Sequence, residues 1–310
     1  MNLVQIFSPF NPDSYEIWSD VKYKLAYELF SKLCEDRGHT FYYTPFATYN
    51  WGKKSFDYAY RYSRGEWTRE SSVVADLIID RTSVAAVAPG LLHALDLNTP
   101  VTNNTEFTEV ANDKAYLPLL FADIVPPTRF VPQGVRLGDV ACLSGDQLIF
   151  KPTSGFGGKG IEVIKNDPDY VAPVNGVIQE FIDSRAGIPG ICTGYHDLRL
   201  TYIGTTLQYA YVRQPAQGSL LANIAQGGSM YLVDATKLPE STWDLARTVQ
   251  TKLAGFPNAL YTIDLFFDLS GKPWLIELNS KPGMYFPPEF LAEQEKFYES
   301  LITHYTSLIR

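Results

Sequence analysis

Apolar and polar positions along the chain change period several times, and each change marks an element. Leu3 to Phe7 is an apolar-rich run of strand length. Asp20 to Cys34 has the helical period, with Tyr23, Leu25, Ala26, Leu29, Phe30 and Leu33 spaced for one face. Gly38-His-Thr then turns the chain into Phe41-Tyr-Tyr, a second strand, and the opening reads as an α/β unit. Val73 to Asp80 reads as a helix-to-strand passage ending in Ile78-Ile-Asp-Arg-Thr. Pro89 to Leu97 contains a short helix, and Thr99-Pro-Val-Thr-Asn-Asn brings a strand and turn. Asn104 to Leu120 reads as helical until Val125-Pro-Pro-Thr-Arg forces the chain to extend. A boundary near residue 100 separates an N-terminal α/β domain, 1–100, from the rest, 101–310.

Beyond that boundary the period is mostly two. Strands are expected at Gln147–Lys151, Gly160–Ile164 and Gly176–Ile182. Asp197–Ile203 and Thr206–Arg213, joined by Gly204-Thr, form a hairpin. Pro239–Leu253 reads as a helix. Ala259–Phe267, the Asp268-Leu-Ser-Gly-Lys turn and Pro273–Leu278 make a second hairpin, and Pro287–Leu308 a C-terminal helix. No internal repeat or low-complexity linker is visible, so function is expected between lobes rather than on a tail.

One stretch fits no simple period. Phe41 to Trp67 carries eleven aromatic residues interleaved with Lys53, Lys54, Arg61 and Arg64. Two readings stand: a surface that grips an extended ligand, or a long excursion whose rings pack on the first domain.

Composition narrows the classes. The 310 residues are 45% hydrophobic and 19% charged, enough to bury a core, so wholesale disorder is excluded. The formal net charge of −8 argues against a general nucleic-acid binder. Cys34, Cys142 and Cys192 are far apart and His39, His93, His196 and His304 show no metal spacing, so neither a disulfide scaffold nor a zinc site is expected. The start has no secretory pattern and no apolar run reaches the roughly 18–20 residues of a membrane helix. A cytoplasmic protein without membrane partners is the expectation.

The richest local signal is Lys151-Pro-Thr-Ser-Gly-Phe-Gly-Gly-Lys-Gly160. Such a loop brings backbone N–H groups close to phosphate oxygens without Cβ obstruction. Gly155-x-Gly157-x-x-Gly160 matches the dinucleotide pattern literally, but Ile-Glu-Val-Ile after Gly160 alternates as a strand where that motif needs a helix. Walker A fails because Gly160, not Ser or Thr, follows Gly158-Lys159. What survives is a strand, a glycine-rich flap and a second strand. Lys151 stands at the exit of the first and Lys159 inside the flap, an arrangement that can close over a triphosphate.

A second signal lies in Tyr261-Thr-Ile-Asp264 and Trp274-Leu-Ile-Glu277-Leu-Asn279. On a strand Glu277 and Asn279 share one face, Ile276 and Leu278 take the other and can bury, and the turn brings Asp264 alongside. Two carboxylates and an amide carbonyl then converge, a donor set that suits Mg²⁺ shared with nucleotide phosphates. A carboxylate between apolar residues of a buriable strand is costly unless paired or metal-bound.

These segments carry a resemblance. In order along Val101–Pro282 come Asn112-Asp-Lys114, Pro126-Pro-Thr128, Ile149-Phe-Lys151 with its glycine loop, Ile178-Gln-Glu-Phe-Ile182, Asp197-Leu-Arg199, Arg213, Asn223 with Gly227-Gly228, Ile263-Asp264 and Ile276-Glu-Leu-Asn-Ser-Lys-Pro-Gly283. The ordered set resembles the ATP-grasp superfamily, in the branch of the ribosomal S6 modification enzyme and the bacterial glutathione synthetases. Residues 1–100 resemble that family's preceding domain in outline, with Asp80-Arg81 near its end.

The resemblance implies α/β and α+β architecture, with ATP between two α+β lobes: a small lobe at about 125–182 and a large lobe from the remainder of 101–310. It implies that Lys114 and Lys151 contact the α- and β-phosphates and that Gly155, Gly157, Gly158 and Lys159 form the closing flap. Gln179, Glu180, Phe181 and Ile182 would read adenine, Asp183 and Asp197 compete for the ribose, and Asn223 and Leu278 complete the nucleotide site. Asp264, Glu277 and Asn279 would hold two Mg²⁺ ions, with Mn²⁺ a substitute. Lys151, Arg199 and Arg213 would be catalytic, the two arginines holding the acceptor carboxylate and the acyl phosphate. Two departures touch the second substrate: Lys281 stands where the family has a small residue, and the segment Ser184–His196 is longer than in compact ligases.

The implied activity is ADP-forming ligation of a carboxylate to an amine, through an acyl phosphate that makes the carboxylate reactive. The carboxylate and amine substrates, an amino acid or peptide among them, are the expected partners, with a homo-oligomer left open. The alternatives are an ATP-grasp kinase acting on a hydroxyl and a nucleotide-binding regulatory module without turnover.

Overall fold

The computed structural model describes residues 1–7, 20–82, 87–140, 143–155, 158–216 and 228–309. The chain divides into two compact units: Met1–Thr105 with Lys281–Arg310, and Glu106–Ser280.

In the first unit the elements are β1 (Asn2–Phe7), α1 (Val21–Asp36), β2 (Thr40–Pro45), β3 (Tyr49–Asn50), β4 (Ser55–Ser63), β5 (Glu66–Val73), β6 (Leu77–Asp80), α2 (Pro89–Asp96) and β7 (Val101–Thr102). β1 pairs in parallel with β2 and β6, and β6 with β7. Antiparallel β4 adds to β2 and carries β3 and β5, completing a seven-stranded sheet. Val4 and Ile6 alternate with Leu3 along β1, so both sheet faces bury apolar side chains, as a helix-covered parallel strand requires. Val4, Ile6, Ile78, Leu92 and Leu95 share one core cluster. On the other face Tyr27 and Phe30 of α1 meet the ring of Phe41 at 5.9 and 5.1 Å.

The aromatic run therefore resolves into strands. Phe41, Tyr42, Tyr43, Tyr49 and Phe56 are buried and Phe46, Tyr58, Tyr60, Tyr62 and Trp67 are half-buried, in line with the packing reading, whereas Trp51 is exposed. α1 begins at its Asp20 cap, whose carboxylate accepts the Lys22 N–H. Its buried side is Ala26, Tyr27, Phe30, Ser31 and Cys34, however, while Leu25 is exposed and Tyr23 only partly covered, its ring 6.4 Å from that of Tyr27. The expected face is thus rotated, because the rings of β2 select the α1 positions they can contact. The helical part expected within Val73–Asp80 is absent: β5 ends at Val73 and β6 begins at Leu77.

The second unit begins with α3 (Thr105–Asn112), α4 (Tyr116–Leu120), β8 (Thr128–Val131), α5 (Leu137–Val140), β9 (Gln147–Pro152), β10 (Glu162–Lys165) and β11 (Gly176–Glu180). β12 (Asp197–Ile203), β13 (Thr206–Gln214), β14 (Ser229–Val233), α6 (Glu240–Lys252), β15 (Leu260–Phe267) and β16 (Pro273–Asn279) follow. They build two antiparallel sheets, β10-β9-β11-β8 and β14-β13-β12-β15-β16. A strand, not a helix, follows Gly160, so the literal dinucleotide match fails on structure as on pattern. Gly176 is required by close approach: a Cβ there would lie 2.3 Å from the Phe150 ring and 2.8 Å from the Lys151 carbonyl oxygen. α7 (Leu291–Ser307) returns to the first unit, where Phe30 meets Tyr298 edge-on at 5.2 Å. Residues 281–310, grouped with 101–310 on sequence, pack instead on α1. Among the described residues no helix is long and apolar enough to cross a membrane.

Candidate functional site

Period-two alternation separates the two faces of the five-stranded sheet. Leu198, Leu200, Ala210, Val212, Ile263, Leu265, Leu275 and Leu278 enter the core of the second unit. The opposite face holds Asp197, Arg199, Arg213, Asp264, Glu277 and Asn279. Register sets their neighbours: Asp197 is opposite Arg213, Arg199 opposite Asp264, and Asp264 opposite Glu277. A β-bulge between Asp264 and Leu265 pairs Leu265 with Leu275 and leaves Ile276 as the extra residue. That bulge lets Leu275 bury while Glu277 keeps the polar face. Ile276, expected to bury, is half-buried.

The charged groups on this face are bound to one another. Arg199 grips Asp264 through two N–H groups, Nε to Oδ1 at 2.6 Å and Nη2 to Oδ2 at 2.5 Å. Arg213 Nη2 donates to Asp264 Oδ2 at 3.1 Å and also to Asp197. All four side chains are buried. Burial alone would raise the Asp264 carboxyl, but Arg199 and Arg213 override it and hold it below its ordinary value. Burial pushes Asp197 up to about 6 against the pull of Arg213, and the Asp264 charge adds to the rise.

Two lysines stand nearby. The single expected helix Asn104–Leu120 is broken into α3 and α4, and the break holds Lys114. There the Asp113 carboxylate accepts the Ala115 N–H, and the Lys114 N–H donates to the Thr153 carbonyl. Lys114 Nζ lies 3.1 Å from Glu277 Oε1 and 3.2 Å from the Gly155 carbonyl oxygen, so one ammonium touches both the carboxylate strand and the flap. Lys151 Nζ donates to Gln179 Oε1 at 2.8 Å, and Gln179 Nε2 donates to Thr128 Oγ1 at 2.8 Å. Burial lowers Lys151 to about 8, with Lys114 adding to the fall and Glu277 and Asp197 opposing it.

The remaining expected positions divide. Gly155, Gly158 and Lys159 lie in the flap, where Lys159 is exposed, and Gly157 and Asn223 lie outside the described residues. The side chains of Gln179 and Glu180 are both engaged locally, Glu180 by the Ser144 N–H at 2.8 Å and hydroxyl at 2.6 Å. Phe181 and Ile182 are half-buried. Asp183 is paired with Arg185 at 2.7 Å, apart from Asp197 and its arginine. Leu278 faces the core and does not join the polar face.

Two residues without a sequence-assigned role belong to the framework. Thr128 completes the Lys151–Gln179 chain, and Asn112 Oδ1 accepts the Ser280 N–H at 3.4 Å and hydroxyl at 3.2 Å. Both sit in motif segments, but their contacts depend on strand pairing and chain return that spacing does not display.

The donor chemistry fits a hard cation: two carboxylates and an amide offer oxygen only. Asp264 has three of about four lone-pair sites already occupied by guanidinium N–H groups, which leaves room for one further ligand. Among the described residues no three His, Cys, Asp or Glu side chains gather as a metal site. An ion here would draw on Asn279 and on phosphate oxygens as well.

Two antiparallel sheets, a glycine-rich flap between β9 and β10 and a charged sheet face define the ATP-grasp fold. The chain belongs to the family described as prokaryotic glutathione synthetase, ATP-grasp domain, which matches residues 114–269. It is similar to a glutathione synthetase of Photorhabdus laumondii subsp. laumondii, 30% identical over 168 residues, 53% of this chain and 51% of that one. The chain spans about half the length of the curated relatives it matches. Among solved structures it is similar to D-alanyl-alanine synthetase A of Vibrio cholerae, with a TM-score of 0.64 and 12% identity over 99% of this chain and 98% of that one. It is also similar to the D-cycloserine synthetase DcsG, with a TM-score of 0.62 and 14% identity over 96% and 99%.

Proposed function

We propose that this protein is an ATP-dependent carboxylate–amine ligase that forms an amide or peptide bond through an acyl phosphate and releases ADP. The observation that carries the reading is Lys114, whose ammonium touches Glu277 and the flap carbonyl of Gly155 together. A triphosphate placed between flap and carboxylate strand would replace those contacts with phosphate oxygens. Family membership supports the same assignment.

A carboxylate does not react with an amine while oxide is the leaving group. Phosphorylation by the γ-phosphate makes phosphate the leaving group; the amine then attacks and the tetrahedral oxyanion collapses. Such chemistry needs fixed positive charge and alignment more than a nucleophilic side chain. In this reading Lys114 and Lys151 neutralise phosphate charge, and Gly155, Gly158 and Lys159 close over it to exclude water from the acyl phosphate. Arg199 and Arg213 orient the acceptor carboxylate, and Asp197 holds Arg213 in place. Asp264, Glu277 and Asn279 would hold Mg²⁺, which when bound supplies charge neutralisation between the phosphates.

The test is a screen of carboxylate and amine pairs in the presence of ATP and Mg²⁺, read by phosphate release and product mass. A product with the mass of the two substrates less water supports the ligase. A stable phosphorylated product would instead make the protein a kinase. Tight ATP binding with no product from any pair would favour a regulatory module.

A further inference from the structure

The first unit contains a half-buried positive cluster, built on the buried Asp80, that the ligase reading does not use. Arg81 is the first residue beyond β6, and its N–H donates to the Ile6 carbonyl oxygen of β1. It therefore stands at the carboxyl ends of parallel strands, where open α/β sheets bind ligands. Its guanidinium makes one hydrogen bond among the described residues, from Nη1 to the Pro282 carbonyl oxygen at 2.7 Å. Most of its N–H donors have no protein acceptor there.

The neighbouring anion is already committed. Asp80 Oδ1 accepts from the Thr82 N–H at 2.8 Å and hydroxyl at 2.6 Å, and Asp80 Oδ2 takes Lys281 Nζ at 2.7 Å. Lys281 is satisfied in turn by the Thr82 carbonyl oxygen at 2.6 Å. The cluster thus holds two cations, Arg81 and Lys281, against one carboxylate, Asp80, a net charge of +1. Tyr23, Tyr27 and Tyr305 are close enough to influence Arg81, and burial pushes the Tyr305 phenol upward, which keeps it uncharged. No second carboxylate lies within ion-pair distance of Arg81 among the described residues. Arg81 is half-buried, so a ligand can reach it, and an arginine drawn partly out of water without a paired anion gains when a ligand supplies one.

We propose that Arg81 is the anchor of a second ligand site, in the first unit, which takes the carboxylate of an amino acid or short peptide. The planar guanidinium fork matches a carboxylate in bidentate geometry. A monoanion neutralises the net +1 of the cluster, whereas a phosphate dianion would overcharge it. A free ammonium on the same ligand would be repelled by Arg81 and Lys281, so the recognised end is the acid end. Tyr23, Tyr27 and Tyr305, near enough to influence the guanidinium, bring phenol groups and ring surface to its neighbourhood. The site concerns binding alone and does not depend on the ligase reading.

Calorimetric titration of the full chain without nucleotide tests this, using N-acetyl-L-phenylalanine, the matched N-acetyl-L-phenylalaninamide and inorganic phosphate as probes. The acid is expected to bind saturably and the amide not. Arg81→Met should weaken the acid by at least about tenfold, the loss of a charge-assisted pair, while ATP affinity stays unchanged. Asp80→Asn should tighten the acid, because it removes the only negative charge of the cluster. Equal binding of acid and amide, an acid affinity unmoved by Arg81→Met, or phosphate preferred over the acid would each overturn the proposal. The acid–amide comparison uses the unmodified protein, so it stands even where Arg81→Met fails to fold.

Discussion

Lys151 carries its charge into a place almost closed to water, 6% exposed, where its ammonium donates to one amide oxygen, that of Gln179. Its value near 8, against an ordinary 10.5, means that the folded protein releases this proton before the unfolded chain does. Between those two pH values the unfolded chain binds more protons, so stability gains from this group as pH rises. Below pH 8 the cost of burying the ammonium is constant, on the order of 3 kcal/mol. Denaturation of the ligand-free protein at a series of pH values should show that rise, and Lys151→Met should flatten it. The carboxylates behave differently from one another. Arg199→Ala strands Asp264 in a buried place with Arg213 as its remaining cation and should cost about 3 kcal/mol or more in unfolding free energy. Glu277 has a third of its side chain exposed, so Glu277→Gln should cost about 1 kcal/mol or less. The same change should lower turnover at limiting Mg²⁺ by at least about tenfold, as loss of a group that orients a metal site does. If the Glu277 variant keeps the wild-type rate at limiting Mg²⁺, its proposed role is wrong.

At the scale of elements, close approach fixes one glycine. Gly176→Ala would drive a methyl group into the Phe150 ring and the Lys151 carbonyl, and the strand carrying Lys151 would have to move. Overpacking of this kind costs about 1–3 kcal/mol, measurable by urea titration, and ATP affinity should fall with it because Lys151 shifts. Period-two alternation made β12, β13, β15 and β16 legible, and with them the shared face of Glu277 and Asn279. The bulge at Ile276 was not legible, since residue spacing cannot reveal which strand carries an extra residue. The pairing of Arg199 with Asp264 was hidden for the same reason: it is a property of register between strands distant in sequence. The β4–β5 hairpin escaped notice although Tyr58, Tyr60 and Tyr62 alternate. Its two-residue loop, Arg64-Gly65, has φ of 53° and 89°, the geometry of a type I′ turn, but Arg is not the Asn or Asp that usually announces one. The break between α3 and α4 was equally masked, because Asn112-Asp-Lys sits comfortably in a helical period until Asp113 folds back on Ala115.

For the molecule as a whole, the α/β opening and the later antiparallel lobes were readable from the sequence of periods. The return of the last residues to the first unit was not, since α7 has the same amphipathic pattern whichever core it covers. Phe297, Tyr298, Leu301, Ile302 and Tyr305 of α7 are all buried there. Tyr298→Ala removes a ring from between Phe30 and Phe297 and should cost about 3–5 kcal/mol. Scanning calorimetry should then resolve a first transition for the weakened unit, ahead of a second that keeps the wild-type temperature; a single transition lowered as a whole would show that the units melt together. The split of the first unit across the chain also bears on its birth. A ribosome delivers residues 106–280, a contiguous unit, before it delivers 281–310. Until those last residues emerge, the sheet that was made first waits with the α1 flank uncovered. The part synthesised earliest is therefore the part finished last, and a nascent chain stalled just past residue 280 should expose Phe30 and its neighbours to protease while the later-made lobes already resist it.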